Sequence, residues 1–176
     1  TGKMLAYPRD LNLTDLLFAY GVRINTSLIK DSYAAKIPLA TGNVGNQTQF
    51  QYLPWNFHPL VNGNAEHPIT KNIRPVRLQF TTQIDTLKNS IKKTALLATS
   101  LLSGKLGTPN FVDLRSIADN ENPNEFRSGK QLTAVLLEGK FNSAYKNRIK
   151  PFKTSLFKAQ SLANKMVVIA AGDIGK

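Results

Sequence analysis

Three short apolar runs constrain the fold of this chain more than any other feature. They are residues 94–100, 132–137 and 166–171, and each has the length and continuous hydrophobicity of a strand that is buried on both faces. Sheets covered on both faces usually have parallel strand pairs at their centre, with helices as the covering layers. We therefore predict an α/β fold, a mixed sheet with helices on both faces and antiparallel edge strands.

Two segments have helical periodicity. In residues 12–21 the apolar side chains recur at helical spacing, with Asn12 suited to cap the start of a helix and Gly21 suited to the left-handed conformation that ends one. Residues 84–91 carry a second apolar stripe with lysines on the opposite face. We predict a helix in each segment.

The remaining segments predict strands and loops. Residues 35–40 and 47–53 have strand character and are separated by a turn-rich connection, which indicates a hairpin. The prolines that follow in residues 54–61 argue against a regular central strand there. Residues 76–80 alternate as a half-buried strand, and the weak pattern of residues 154–165 predicts a loop.

Composition excludes several kinds of chemistry. The chain has no cysteine, so thiolate catalysis and cysteine-based zinc sites are excluded. Its glycine-rich turns lack the spacing of a P-loop or a dinucleotide-binding loop. His58 and His67 each precede a proline, which favours extended geometry over a helical metal-binding pair. We predict a protein that is not an enzyme and has no catalytic residues, no metal site and no cofactor.

Positive charge is concentrated late in the chain. The net charge is +12, and no acidic residue lies between Glu138 and Asp173. We predict that residues 140–165 form a basic, loop-rich segment that contacts an acidic protein partner or anionic lipid headgroups. Nucleic acid is the less favoured alternative, because the aromatic residues of the segment lack the spacing of a base-stacking platform. The candidate partner-binding residues are Lys140, Lys146, Arg148, Lys150 and Lys153.

Polar residues follow the predicted buried strands. Ser100, Glu138 and Asp173 each come at or after the end of one, and open α/β sheets bind ligands beyond the carboxyl ends of their strands. We therefore predict a ligand contact at these three residues, although the two carboxylates could equally cap a helix or pair with a lysine. The alternative is a hydrolase centred on Ser100 or Asp173, without the Gly-x-Ser-x-Gly elbow.

Several strings resemble a transporter family in their order and spacing. They are residues 10–25, Trp55 with 58–60 and 67–69, 84–87 with 93–97, 135–143 with 147–148, and 167–169 with 172–173. Together these strings resemble the GldG-type auxiliary component of gliding-motility ABC transporters.

The resemblance implies a role and a setting. Such a protein would be a non-catalytic auxiliary subunit, with a partner permease and ATPase on other chains. It would lie in the periplasm or otherwise outside the cytoplasm, anchored to the inner membrane by segments that this sequence lacks. The resemblance also implies a Rossmann-like or flavodoxin-like α/β core that begins upstream of this sequence. On this basis residues 1–176 would form a single α/β domain, a fragment of a larger membrane-anchored protein.

Overall fold

The fold is built almost entirely from strands. A computed structural model describes residues 2–117, 122–151 and 155–174, and this part of the chain contains eleven strands, one α-helix and two short 3₁₀ helices. The 3₁₀ helices are Leu114–Ile117 and Pro123–Phe126. The other elements are β1 Lys3–Ala6, α1 Thr14–Ala19, β2 Val22–Asp31, β3 Ala34–Val44, β4 Gln47–Gly63, β5 Val76–Arg77, β6 Thr82–Thr86, β7 Lys92–Ala98, β8 Ser103–Leu106, β9 Asn110–Asp113, β10 Leu132–Asn142 and β11 Gln160–Ile169.

The strands form three antiparallel sheets. The largest has the order β11-β10-β7-β4-β3, with β5 also paired to β4; the second is β6-β2-β8, and the third pairs β1 with β9. Every strand pair within the described residues is antiparallel. The prediction of an α/β, Rossmann-like or flavodoxin-like mixed sheet with helices on both faces was therefore wrong.

Strand β10 shows why the apolar runs were misleading. Val135 and Leu137 point into a core that also contains Val22 and Ile84 from the second sheet. The intervening Leu136 belongs to a separate core with residues of β4 and β7. The strand is buried on both faces, as its continuous hydrophobicity predicted. Strands, loops and the short helix α1, whose Leu16 and Leu17 pack on the first core, cover it where the prediction placed helices on both faces.

The predicted helix at residues 84–91 was also wrong. Residues Thr82–Thr86 form β6, in which Ile84 pairs with Ile24 of β2. The helical spacing arose because Ile84 on the strand and Ile91 just before β7 reach the same core. Apolar residues separated by a turn can thus imitate a helical stripe without lying on a helix.

The first helix was predicted correctly in kind and incorrectly at its start. Helix α1 spans Thr14–Ala19, and its N-cap is Leu13, which makes no side-chain cap hydrogen bond. Asn12 does not cap it, because it has a φ of 55° and its N–H donates to Asp10 Oδ1 at 2.8 Å. Gly21 has the predicted left-handed φ, at 79°.

The predicted hairpin is confirmed, and it is longer than predicted. Strand β3 pairs with β4, which runs from Gln47 to Gly63 and so continues through Pro54 and Pro59. A register shift between Ala34 and Lys36, opposite these two prolines, lets β4 accommodate residues that donate no hydrogen bond. The prolines thus do not end β4, and the predicted loss of regularity is limited to this break in its pairing with β3.

Two smaller predictions need correction. The strand predicted at residues 76–80 is limited to the two residues of β5. The loop predicted at residues 154–165 gives way at Gln160 to β11, which pairs with β10 and closes a long hairpin.

Candidate functional site

Ser100, one of the predicted ligand-binding residues, is held in the turn after β7 by a buried carboxylate. Its hydroxyl donates to Asp31 Oδ1 at 2.6 Å, and its backbone N–H donates to Asp31 Oδ2 at 2.8 Å. The N–H of Leu102 in turn donates to the Ser100 hydroxyl at 3.0 Å. Among the described residues no histidine makes a hydrogen bond to this serine, so the base of a Ser-His pair is missing. The arrangement joins the ends of β2 and β7.

Glu138 lies in the middle of an ion-pair ladder across three strands. Its Oε1 is 2.9 Å from Lys165 Nζ on β11, and its Oε2 is 3.6 Å from Lys92 Nζ on β7. The hydrogen bond from Lys165 lowers the pKa of Glu138, and the charges of both lysines lower it further. The carboxylate is therefore ionised at neutral pH and paired with its neighbours, as in the alternative that the sequence left open.

Glu138 also lies far from the other two predicted ligand residues. The register pairs Leu132 with Ala98 and Ala134 with Ile169, so the ends of β7 and β11 meet at the start of β10. Glu138 is six positions beyond Leu132 on β10, which is roughly 20 Å at about 3.4 Å per residue. Its separation follows from antiparallel pairing, which sends neighbouring strands to opposite edges of the sheet.

Asp173 lies near the edge where Ser100 lies. It follows β11, and its Oδ1 accepts a hydrogen bond from the backbone N–H of Gln79 at 3.3 Å. The sequence prediction of a ligand at Ser100, Glu138 and Asp173 depended on parallel strands ending together. That basis is absent among the described strands.

The predicted basic segment forms the far end of the β10–β11 hairpin. We call the described part of it, residues 140–151 and 155–165, the basic tip. Lys140 is still paired within the hairpin, opposite Ala163, and residues 143–159 connect the two strands. Lys140, Lys146, Arg148 and Lys150 are all exposed, and Lys153 lies outside the described residues.

Only part of the charge of the basic tip is neutralised. Arg148 pairs with Asp15 at 3.4 Å, and Lys165 pairs with Glu138. Lys150 Nζ lies over the Phe157 ring, 3.8 Å from its centre. Within residues 2–117, 122–151 and 155–174, four lysines of the tip have no acidic partner. They are Lys140, Lys146, Lys150 and Lys158.

His58 is a buried titratable group in β4. Only 6% of the residue is exposed, and neither ring nitrogen has a hydrogen-bond partner in the described structure. Its ring packs against Trp55 and Phe80, with centroid separations of 4.8 and 5.5 Å. These ring contacts place His58 in an aromatic core cluster. Within the described residues, no group of three or more histidine or acidic side chains could hold a metal ion.

His58 predicts a stability change on acidification. Burial lowers the pKa of His58 below its ordinary value of 6.5, the charge of Arg77 lowers it further, and Asp173 opposes this in part. Between that lowered pKa and 6.5 the unfolded chain binds the proton and the folded chain does not, so the free energy of unfolding falls as pH drops. Urea denaturation at neutral and mildly acidic pH measures this, and the fall should be smaller in His58→Phe.

A control is available in the second histidine. His67→Gln replaces a partly exposed histidine ring and is the matched control for the removal of a histidine. Equal acid sensitivity in wild type and His58→Phe would contradict the assignment.

Comparison with known families identifies the chain. The model of the ABC transporter auxiliary family, described as "ABC-type uncharacterized transport system", matches residues 1–176. The chain belongs to this family. It is thereby related to the auxiliary components of ABC-type transport systems, which agrees with the coarse part of the sequence prediction. No curated protein and no solved structure matches the chain.

Two further observations bear on this family member. None of its described helices has the length and apolarity needed to span a bilayer. The sequence prediction also missed an apolar groove beside α1, lined partly by Leu5, Leu11 and Phe18. Each of these three side chains is more than half exposed, and the only available signal was the apolar residues ahead of α1.

Proposed function

We propose that this protein is a non-catalytic subunit of its ABC transport system, whose permease and ATPase are other chains, and that it binds the permease through the basic tip. Membership of the auxiliary family supports the association with a transporter. The proposal extends to a system of the gliding-motility type and to a position outside the cytoplasm at the inner membrane. Both extensions are supported by the GldG-like strings described above.

The observation that carries the docking proposal is the unpaired charge of the basic tip. Lys140, Lys146, Lys150 and Lys158 have no acidic partner among the described residues, and no acidic residue occurs between Glu138 and Asp173. A one-signed patch of this kind accelerates association with an oppositely charged surface and disfavours basic partners. An acidic surface on the permease is the expected counterpart.

Apolar side chains beside these lysines give the tip the composition of an interface. Ile149 is 96% exposed and Leu162 is 79% exposed. Charges at the rim of an interface mainly set the rate and salt dependence of binding, whereas buried apolar contacts contribute most of the affinity. The lysines would guide the partner and the aliphatic residues would contact it.

Charge reversal tests the surface. A variant with Lys140→Glu, Lys146→Glu, Lys150→Glu and Lys158→Glu should bind the detergent-solubilised permease about tenfold or more weakly in a pulldown, because attraction becomes repulsion. The matched control reverses four exposed lysines elsewhere: Lys36, Lys71, Lys88 and Lys130. It changes the net charge by the same amount and should bind nearly as the wild type does.

Two outcomes would overturn the docking surface. One is equal binding by the basic-tip variant and the control. The other is retention of the wild-type protein on anionic vesicles at physiological salt with no capture by the permease, which would assign the tip to a lipid surface.

A further inference from the structure

An apolar groove opens beside helix α1. Its volume is about 560 Å³, and its walls come from β1, the segment leading into α1, α1 itself and the first half of β2. Leu5, Leu11 and Phe18 line it and are 53%, 63% and 60% exposed. Pockets of about 300–1,000 Å³ with mostly apolar walls are typical of small-molecule sites, and clustered exposed apolar side chains are uncommon on free protein surfaces.

The groove has a polar end. Arg23, Asn25 and Thr26 line both the groove and an adjoining recess of about 340 Å³, which also contains Asp85 and Lys105. Here β2 leaves its register with β6 between Ile24 and Leu28. The groove and the recess thus share residues of β2 at its interrupted stretch, and Lys105 lines the recess alone.

The charge at this polar end is positive. Asp85 is its acid, and Oδ2 of that carboxylate accepts from Arg23 Nη2 at 2.5 Å and from Asn25 Nδ2 at 3.1 Å. The hydrogen bond from Arg23 lowers the pKa of Asp85, so the pair is ionised and mutually neutral at neutral pH. Lys105 has no ion-pair partner among the described residues, and the same holds for Arg9 on the groove wall. An anionic group is therefore favoured here.

Thr82 supplies an unsatisfied polar atom beside the apolar walls. Its Oγ1 is buried and has no hydrogen-bond partner within the described residues, and the residue lines the groove. Most buried polar side-chain atoms have at least one partner. A ligand that enters the groove could provide it.

We infer that this groove binds an amphiphile with a single aliphatic chain and an anionic head group, the chain lying against Leu11 and Phe18 and the head group meeting Arg9. Apolar walls beside an unpaired cation match that molecule in both polarity and sign. A neutral apolar molecule would leave Arg9 without a partner. This inference concerns a different surface from the basic tip and goes beyond the proposed function.

The test uses dansyl-undecanoic acid, a fluorescent fatty acid whose emission rises in an apolar site. We expect saturable binding and displacement by laurate or by dodecyl phosphate, and the tighter of these two identifies the preferred head group. Dodecanol has the same chain length as laurate without a charge and should displace the probe about tenfold less well, because it offers the cation no charged partner.

Two variants locate the binding. Phe18→Asp places a carboxylate on the groove wall and should weaken probe binding at least about tenfold. Phe50→Asp is the matched control, because Phe50 is also 60% exposed but lies on the β3–β4 hairpin outside the groove. Arg9→Gln should reduce displacement by laurate without changing displacement by dodecanol.

Three results would overturn the inference: no saturable binding of the probe, equal effects of Phe18→Asp and Phe50→Asp, or dodecanol competing as well as laurate. The first would instead favour a protein segment as the occupant of the groove. Capture by the permease should be unchanged in Phe18→Asp, so failure of this inference and failure of the docking proposal can be told apart.

Discussion

Replacement of Asp31 by alanine is expected to lower the free energy of unfolding by about 3–5 kcal/mol, because it leaves buried hydrogen-bond donors without an acceptor. The residue is fully buried. Its carboxylate accepts from the Ser100 hydroxyl, the Ser100 N–H and the N–H of Tyr33, the last at 2.9 Å. These bonds fasten the end of β2 to the turn after β7, and thereby fasten two of the three sheets to each other. Urea denaturation measures the loss.

Graded variants test this explanation. Ser100→Ala removes one donor and leaves the carboxylate its two backbone donors, so the expected loss is nearer about 1 kcal/mol. In the double variant the two effects should not add, because the residues share a hydrogen bond. A loss below about 1 kcal/mol in Asp31→Ala would contradict the role of the carboxylate.

The strands that the sequence predicted best are those whose local pattern agrees with their pairing. Residues 35–40 and 47–53 were recognised as a hairpin because their strand character is interrupted by one turn. The β10 run was recognised as buried on both faces for an equally local reason. Its direction relative to β7 and β11 could not be derived, because hydrophobicity records burial and carries no information on strand orientation.

Strand orientation also determines where the three predicted ligand residues lie in the sheet. Ser100 and Asp173 do lie near one edge of the sheet, as strand ends should. Glu138 does not, because β10 runs opposite to its neighbours and extends beyond the apolar run that located its predicted end. The prediction assumed parallel strands, which would have brought the three residues together. The antiparallel strands leave Glu138 apart from Ser100 and Asp173.

Surface features differed in how readily the sequence disclosed them. The basic tip could be predicted, because its lysines all lie within one segment of the sequence that contains no acidic residue. The apolar groove could not, because β1, α1 and β2 each contribute part of its wall. Its polar end depends on a register interruption in β2 that no local pattern marks. Sites assembled across elements need the fold before they can be seen.

We expect the second large loss of stability from substitution of Gly104, where the backbone of β8 lies against the backbone of the 3₁₀ helix Pro123–Phe126. A Cβ added at Gly104 would lie 1.8 Å from the backbone oxygen of Glu125, whereas one added at Gly107 would meet nothing within 4 Å. Gly104→Ala must therefore displace the 3₁₀ helix and its buried Phe126, at an expected loss of about 3 kcal/mol in urea denaturation. Gly107→Ala should change stability by less than about 1 kcal/mol, since only unfolded-state entropy is altered. Equal stability of the two variants would show that the two backbones are not in contact, and faster proteolysis of Gly104→Ala near residues 122–128 would show the helix detaching as expected.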